Sequence, residues 1–345
     1  MSTYAPRLGW VLAGLVFLLV VGGGAVHATG SSLACPDWPL CYGEVFPAMK
    51  GGVLFEHSHR LLATAVGLLT LWLAIFVLMR MTADPRIRRY GFVGLSLVFV
   101  QVAILIAGFI YRDLLWPLLA LVIALGLVTG ALAYLMSRRG APLAGLGVAS
   151  FALVAVQGML GGLTVVLKLP LFVSAAHLAL SLVFMGVVIV LSYRLGGVAA
   201  AAAPVAARGL IGVATLGVYL QAVLGGLVRH SGAGLACNVT VFTCGGTLLP
   251  DGGPAWLNLG HRIIALGVCG LVMVATARWH RRGSGSGRVR FLALGAASLA
   301  ALQLLVGALT VMTFVAVVWV VLHLAIAALL FAATLMLYVE LGRPA

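Results

Sequence analysis

Acidic residues are scarce in this chain. It carries 7 Asp and Glu against 21 Lys and Arg, and charged residues make up only 8% of its 345 positions. A soluble domain carries about 25% charged residues, so a solvated globular surface is excluded. Long polar stretches are lacking too, which leaves no room for a separate soluble domain. Cysteines number 5, too few for a disulfide-dense secreted scaffold. What remains is apolar: 63% of the residues are hydrophobic. A membrane span needs about 20 mostly apolar residues. Ten stretches qualify: 8–28, 53–79, 90–111, 114–136, 143–167, 171–193, 208–229, 255–277, 290–313 and 316–340. The predicted fold class is all-α, a polytopic transmembrane protein with about ten helices.

The net charge of +14 is a topology signal. Short loops on the inner side of a membrane carry the Lys/Arg excess. With the N-terminus inside, 15 of the 21 basic residues fall on inner loops and ends, Arg282, Arg288, Arg290 and Arg343 among them. The run "GSGSGRVR" is then an inner loop and not a nucleic-acid arm, and no nucleic-acid partner is expected. Both termini are expected in the cytoplasm of a cell-membrane protein. The first segment, with Arg7, an apolar run and small residues near "AVHATG", has the look of a signal peptide. An internal repeat argues that it is retained.

"GGGAVHATGSSLAC", ending at Cys35, matches "LGGLVRHSGAGLAC", ending at Cys237, at an offset of 237 − 35 = 202. The same offset carries His59-Arg60 onto His261-Arg262. "QGMLGGLTV" from Gln157 matches "QLLVGALTV" from Gln303 at an offset of 303 − 157 = 146, which carries His177 onto His323. The offsets differ by 202 − 146 = 56 residues, enough for one added hairpin near 81–142. The expected architecture is two pseudo-symmetric four-helix bundles, 1–200 and 201–345, plus that hairpin.

Each repeat has one histidine on its second helix and one on its fourth: His59 and His177, then His261 and His323. All four lie about six residues past the start of their helices, which at about 1.5 Å per residue sets them at one depth near the outer face. Paired imidazoles in an apolar bundle are axial ligands for a haem. A bare zinc or copper site is disfavoured at that depth, where no Cys, Asp or Met cluster accompanies them. A single such histidine would be read as a packing residue; four in register are not. Arg60 and Arg262 are candidate propionate contacts, or else interfacial arginines that snorkel. His57 sits off the ligand face. His27, His230 and His280 lie at helix ends, where interfacial placement accounts for them.

Cys35 and Cys41 bracket "PDWPL", and Cys237 and Cys244 bracket "NVTVFT", both in loops predicted outside. Disulfide-closed loops are the simplest reading, with a redox role the alternative. A zinc site needs more ligands than these loops offer. Cys269 is inert packing. The offset of 202 also sets Glu56 against Asn258. Glu56 is three residues from His59, on one helix face. Two pockets of one shape, only one beside a carboxylate, suggest one catalytic site and one electron-transfer or structural haem. The competing reading is that Glu56 only pairs with Arg60 or caps its helix.

In "CPDWPLC", "EHSHRLLA", "QGMLGGLTV" with His177, "LGHRIIALG" and "QLLVGALTV" with His323, the chain resembles the haem A synthase family of bacteria and mitochondria. The ordered set spans nearly the whole chain outside 81–142. The resemblance implies oxidation of a methyl group of haem O to a formyl group, giving haem A for cytochrome oxidase biogenesis. It implies haem O as substrate between His59 and His177, and haem b as cofactor between His261 and His323. It places Glu56 at the family's essential glutamate, and Cys35 and Cys41 at its outer-loop cysteine pair. Expected partners are haem O synthase, a membrane electron acceptor and a second copy of the chain. The family usually has eight spans, two fewer than here. A di-haem b-type electron-transfer protein and a haem exporter or chaperone are the alternative classes.

Overall fold

In the computed structural model the described residues are 4–197, 205–281 and 287–342. The expected boundary between halves at 200/201, and the inner arginines Arg282 and Arg343, lie outside them. The helices are α1 (Tyr4–Ala28), α2 (Gly51–Arg80), α3 (Pro85–Ile110), α4 (Leu115–Arg138), α5 (Pro142–Val166), α6 (Leu171–Leu195), α7 (Val205–His230), α8 (Gly253–Arg281), α9 (Gly287–Met312) and α10 (Val317–Leu341). Ten helices among the described residues are long and apolar enough to cross a membrane. The protein is all-α and multi-pass, as its apolar runs require.

Local chemistry sets where the helices begin. Asp84 accepts a hydrogen bond from the Arg86 N–H at 2.7 Å and Pro85 follows it, so α3 opens on a capped, Pro-initiated turn. Pro142 opens α5 as well, there without a side-chain cap. Before α6 the chain turns through Lys168 and Leu169 at φ 58° and 62°; before α10 it turns through Phe314 and Val315 at φ 55° and 54°. These are 146 residues apart (314 − 168), so the repeat extends to an uncommon left-handed backbone at non-glycine positions. The matching hydrogen bonds, Leu169 N–H to Thr164 O at 2.7 Å and Val315 N–H to Thr310 O at 2.8 Å, close both helix ends.

Within an apolar bundle, hydroxyls have no water to bond. They turn back on their own helix: Thr70 donates to Val66 O at 2.7 Å, Ser150 to Leu146 O at 2.7 Å and Thr334 to Leu330 O at 2.9 Å.

The chain forms two compact units. One comprises the chain to Leu19, Ser32–Val173 and Val183–Gly197; the other comprises Val20–Ser31, Ser174–Leu182 and the chain from α7 onward. In the second unit α7, α8, α9 and α10 pack in order and α10 returns to α7, so the ring closes with α8 and α10 on a diagonal. In the first unit α5 packs against α2, α3 and α4. The hairpin α3–α4 is held to α5 by close backbone approach: a Cβ on Gly145 would run into the Ala133 carbonyl and the Ser137 hydroxyl. Gln101, buried, donates to Thr129 Oγ1 at 3.1 Å between α3 and α4. The C-terminal end of α3 reaches the loop between α1 and α2, where Trp38 meets Phe109 edge-on with ring centroids 5.3 Å apart. A Cβ on Gly162 of α5 would fall 2.8 Å from Trp38 and 2.9 Å from Phe109.

A Gly145→Val exchange should pry α5 from α4 and cost about 1–3 kcal/mol of stability, as overpacking does. Thermal unfolding of the detergent-solubilised protein would show this as a lowered midpoint.

Candidate haem site and the disulfide-closed loops

Between α1 and α2 the chain makes a small ring. Cys35 and Cys41 are joined by a disulfide. Cys41 and Glu44 exchange backbone hydrogen bonds at 3.1 Å in both directions. The Asp37 carboxylate accepts from the N–H groups of Tyr42 at 2.7 Å and Gly43 at 2.8 Å. Both donors sit at positive φ, 54° and 73°, and the two hydrogen bonds hold that turn. Burial, the largest single influence, opposes the charged form of Asp37. The Gly43 and Tyr42 amides, with Arg60 nearby, still hold its carboxyl below the usual range.

The first turns of α2 clamp this ring. Glu56 is buried, 4% exposed, and its Oε2 accepts from the Cys35 N–H at 2.9 Å. Its Oε1 pairs with Arg60 Nη2 one turn along the helix. Arg60 Nη1 donates to Asp37 O at 2.7 Å and to Leu40 O, so one guanidinium grips both arms of the disulfide loop. The salt bridge between Glu56 and Arg60 is therefore real, and it belongs to a larger polar lock. Both terminal nitrogens of Arg60 are committed to protein acceptors. His57 turns toward the loop and not the bundle: Nε2 donates to Val45 O at 2.8 Å. His59, on the same helix, is partly buried, and its Nδ1 has no partner.

The loop between α7 and α8 repeats the plan with different chemistry. Cys237 and Cys244 are joined by a disulfide. Arg262 Nη1 donates to Thr240 O and Val241 O. Asn258, buried, donates through Nδ2 to Ala233 O at 2.6 Å and Gly234 O at 2.9 Å. Asn258 thus ties loop to helix where Glu56 does in the first repeat, as a donor and not an acceptor. Leu259, at the position equivalent to His57 (57 + 202), packs on Cys237 and Cys244.

Below that loop, the second bundle has a polar interior. His261 on α8 and His323 on α10 lie within electrostatic reach of each other. Each imidazole meets a glutamine from the preceding helix: Gln221 Nε2 is 2.8 Å from His261 Nδ1, and Gln303 Nε2 is 3.3 Å from His323 Nε2. One turn beyond each glutamine stands a glycine. A Cβ on Gly225 would fall 3.0 Å from the His261 ring, and one on Gly307 would fall 3.0 Å from the His323 ring. His177 lies on α6 in the segment that belongs to this same unit.

Sequence reasoning passed over Gln221, and treated Gln157 and Gln303 only as markers of the repeat. The signal was present. A glutamine four residues before a glycine recurs at 157/161, 221/225 and 303/307, each on the helix preceding a candidate ligand histidine. The corresponding place on α1 (221 − 202 = 19) holds Leu19. The lock between Arg60 and the loop carbonyls, and the turn of His57 toward the loop, left no such trace.

These features define a class: a multi-pass membrane protein with a histidine pair facing inward in a helical bundle under a disulfide-closed loop. Comparison with known proteins narrows it. Residues 6–58 and 115–335 match the model of the COX15-CtaA family, described as cytochrome oxidase assembly protein. A heme A synthase of Bacillus pumilus is 29% identical over 266 residues, 76% of this chain and 71% of that protein. A heme A synthase of Geobacillus kaustophilus is 24% identical over 273 residues, 77% and 68% of the two chains. A shorter stretch, 89 residues or 26% of this chain, is 37% identical to 19% of a protoheme IX farnesyltransferase of Haloarcula marismortui. The chain belongs to the haem A synthase family of cytochrome oxidase assembly proteins. The stretch that the family model leaves unmatched, 59–114, is 114 − 58 = 56 residues long, the same as the difference between the two repeat offsets. It holds His59, Arg60, the rest of α2 and all of α3, while α4 lies in the matched range.

The Asp37 lock has a pH signature. A carboxyl held below its ordinary range stabilises the loop above that range, and the contribution is lost as pH falls through the lowered value. Asp37→Asn should let a phosphine reductant open Cys35–Cys41 a few-fold faster at neutral pH. Mass-shift alkylation would follow the rate, and acidification should speed reduction in the parent far more than in the variant.

Proposed function

We propose that this membrane oxidoreductase converts haem O to haem A by oxidising a ring methyl group to a formyl group, with Glu56 as the catalytic residue. The observation that carries the assignment is the mismatch between the two loop clamps. They share a disulfide, an arginine on loop carbonyls and a buried polar residue one turn before that arginine. Only the first places a carboxylate there. Family membership supports the reaction class.

In this reading His59 and His177 hold the substrate iron. The assignment rests on the repeat, since 59 + 202 = 261 and 177 + 146 = 323. Glu56, one turn outward from His59 on α2, stabilises positive charge developing as the methyl group loses electrons, or holds the water that attacks it. Arg60 fixes the carboxylate and ties it to the loop, so the acid is preorganised before substrate arrives.

His261 and His323 would hold a resident haem b, and the residues present fit such a group. Gly225 and Gly307 leave room at both imidazoles. Buried polar atoms without protein partners line the same bundle: Gln221 Oε1, Gln303 Oε1, His323 Nδ1 and Arg262 Nη2. A haem there supplies a one-electron couple. Arg262, with Nη2 unpaired, is the proposed propionate contact. Arg60 could serve a substrate propionate only by giving up a loop carbonyl.

The glycine contacts at the proposed cofactor site give one test. Gly307→Ala should push on the His323 ring and lower the haem-to-protein ratio of the purified chain, as read by pyridine haemochrome. The excess of Lys and Arg on alternate loops supports cytoplasmic termini and haem sites near the outer face. Haem O synthase as supplier, a membrane electron acceptor and self-association complete the proposal.

The decisive experiment is extraction of haems from membranes holding Glu56→Gln. The expected result is haem O accumulation with haem A reduced about a hundredfold or more, the scale of loss on removing one preorganised charged group. Haem A formed at the parent rate would remove Glu56 from the chemistry.

A further inference from the structure

We propose that the first outer loop, when its disulfide is reduced, is a three-coordinate site for the soft cation Cu(I), with Cys35 Sγ, Cys41 Sγ and His57 Nδ1 as ligands. Ligand atoms of these three residues lie within 4.8 Å of one another, and all three residues are buried. The orientation of His57 is the telling feature. A carbonyl oxygen can only accept, so the 2.8 Å contact with Val45 O places the imidazole proton on Nε2. Nδ1 then carries the lone pair. It is buried without a hydrogen-bond partner, on a side chain only 3% exposed. Metal-binding histidines are held this way, with one ring nitrogen donating to a backbone carbonyl and the other aimed at the metal.

The second loop shows that this histidine is not a requirement of the fold. There the same position holds Leu259, packed on Cys237 and Cys244 as plain apolar cover. An apolar residue suffices to shield a disulfide. A buried imidazole with an unused lone pair is the costlier choice, because an unsatisfied buried acceptor costs about 1–3 kcal/mol.

Ligand number selects the cation. Two thiolates and one imidazole suit Cu(I), which prefers soft donors. Zinc in a closed structural site takes four ligands. Glu56 does not supply a fourth, since its two oxygens are held by the Cys35 N–H and Arg60. Arg60, close by on the loop carbonyls, offsets the negative charge of a dithiolate site. The chemistry balances with a dithiol as reductant. It delivers an electron pair to the S–S bond and a proton to each sulfur, and is itself oxidised to a disulfide. Cu(I) then displaces both thiol protons to solvent. The site stands apart from the reading of Glu56 as the catalytic acid, and its test does not use activity.

The experiment uses the full chain, purified in detergent with its haem. It is reduced anaerobically with dithiothreitol, desalted and dialysed against Cu(I) buffered by bicinchoninate. Copper is measured by atomic absorption and its ligand shell by X-ray absorption. The expected result is about one more copper per chain after reduction than before it, in a mixed sulfur and nitrogen shell. His57→Leu should weaken binding by about tenfold or more, while Cys237→Ser/Cys244→Ser should retain it. Equal copper before and after reduction overturns the proposal. So does a shell without nitrogen, a His57→Leu variant with parent affinity, or a Cys35–Cys41 pair that opens only with loss of the haem spectrum. Should His57→Leu lose its haem spectrum, the parent's ligand shell alone decides.

Discussion

A polar group in an apolar bundle must find its partner within the protein, and most of what is distinctive here follows from that rule at two arginines. Arg60 and Arg262 sit near the N-terminal ends of α2 and α8, where neither lipid nor the bundle interior can satisfy a guanidinium. Each donates to backbone carbonyls of the adjoining loop, and Arg60 also pairs with Glu56. The loop must therefore be short and close to the helix end, and the disulfide in each keeps it so. The arginine joins cover to bundle. The buried residue one turn earlier, Glu56 or Asn258, completes the join from the other side.

That join explains how two repeats of one plan come to differ in chemistry. Glu56 accepts from the loop and pairs with Arg60; Asn258 donates to the loop and leaves an Arg262 nitrogen without a protein partner. Mechanical attachment is kept in both. In the first repeat the attachment is a carboxylate fixed in place, which is what a charge-stabilising group needs. In the second it is a neutral amide, with spare donor capacity nearby for an anionic group. Two loop clamps of one plan thus carry a carboxylate in one case and a neutral amide in the other.

The additional hairpin fits the same logic. It packs on α5 through a glycine contact and meets the first loop through Phe109 and Trp38. It adds apolar bracing to the loop that carries Cys35, Cys41 and the Glu56 lock. The second loop lies in a repeat that has no such hairpin.

Much of this was legible in the residues alone. Ten spans follow from apolar run length, because the bilayer fixes how many apolar residues a helix must have. The repeat, the positions of the four histidines and the Glu56–Asn258 mismatch are read from spacing, because the two offsets of 202 and 146 keep register across the halves. The glutamine and glycine beside each histidine could have been read from their recurrence, though only Gln221, Gln303, Gly225 and Gly307 show what the motif accomplishes. What the tertiary structure alone decided is where Arg60 and His57 spend their hydrogen bonds. Arg60 reaches residues 20, 23 and 25 positions away, and His57 reaches Val45. Such contacts join a helix to a loop with no periodicity of its own. Their partners are backbone carbonyls, which every residue carries and no sequence pattern can single out.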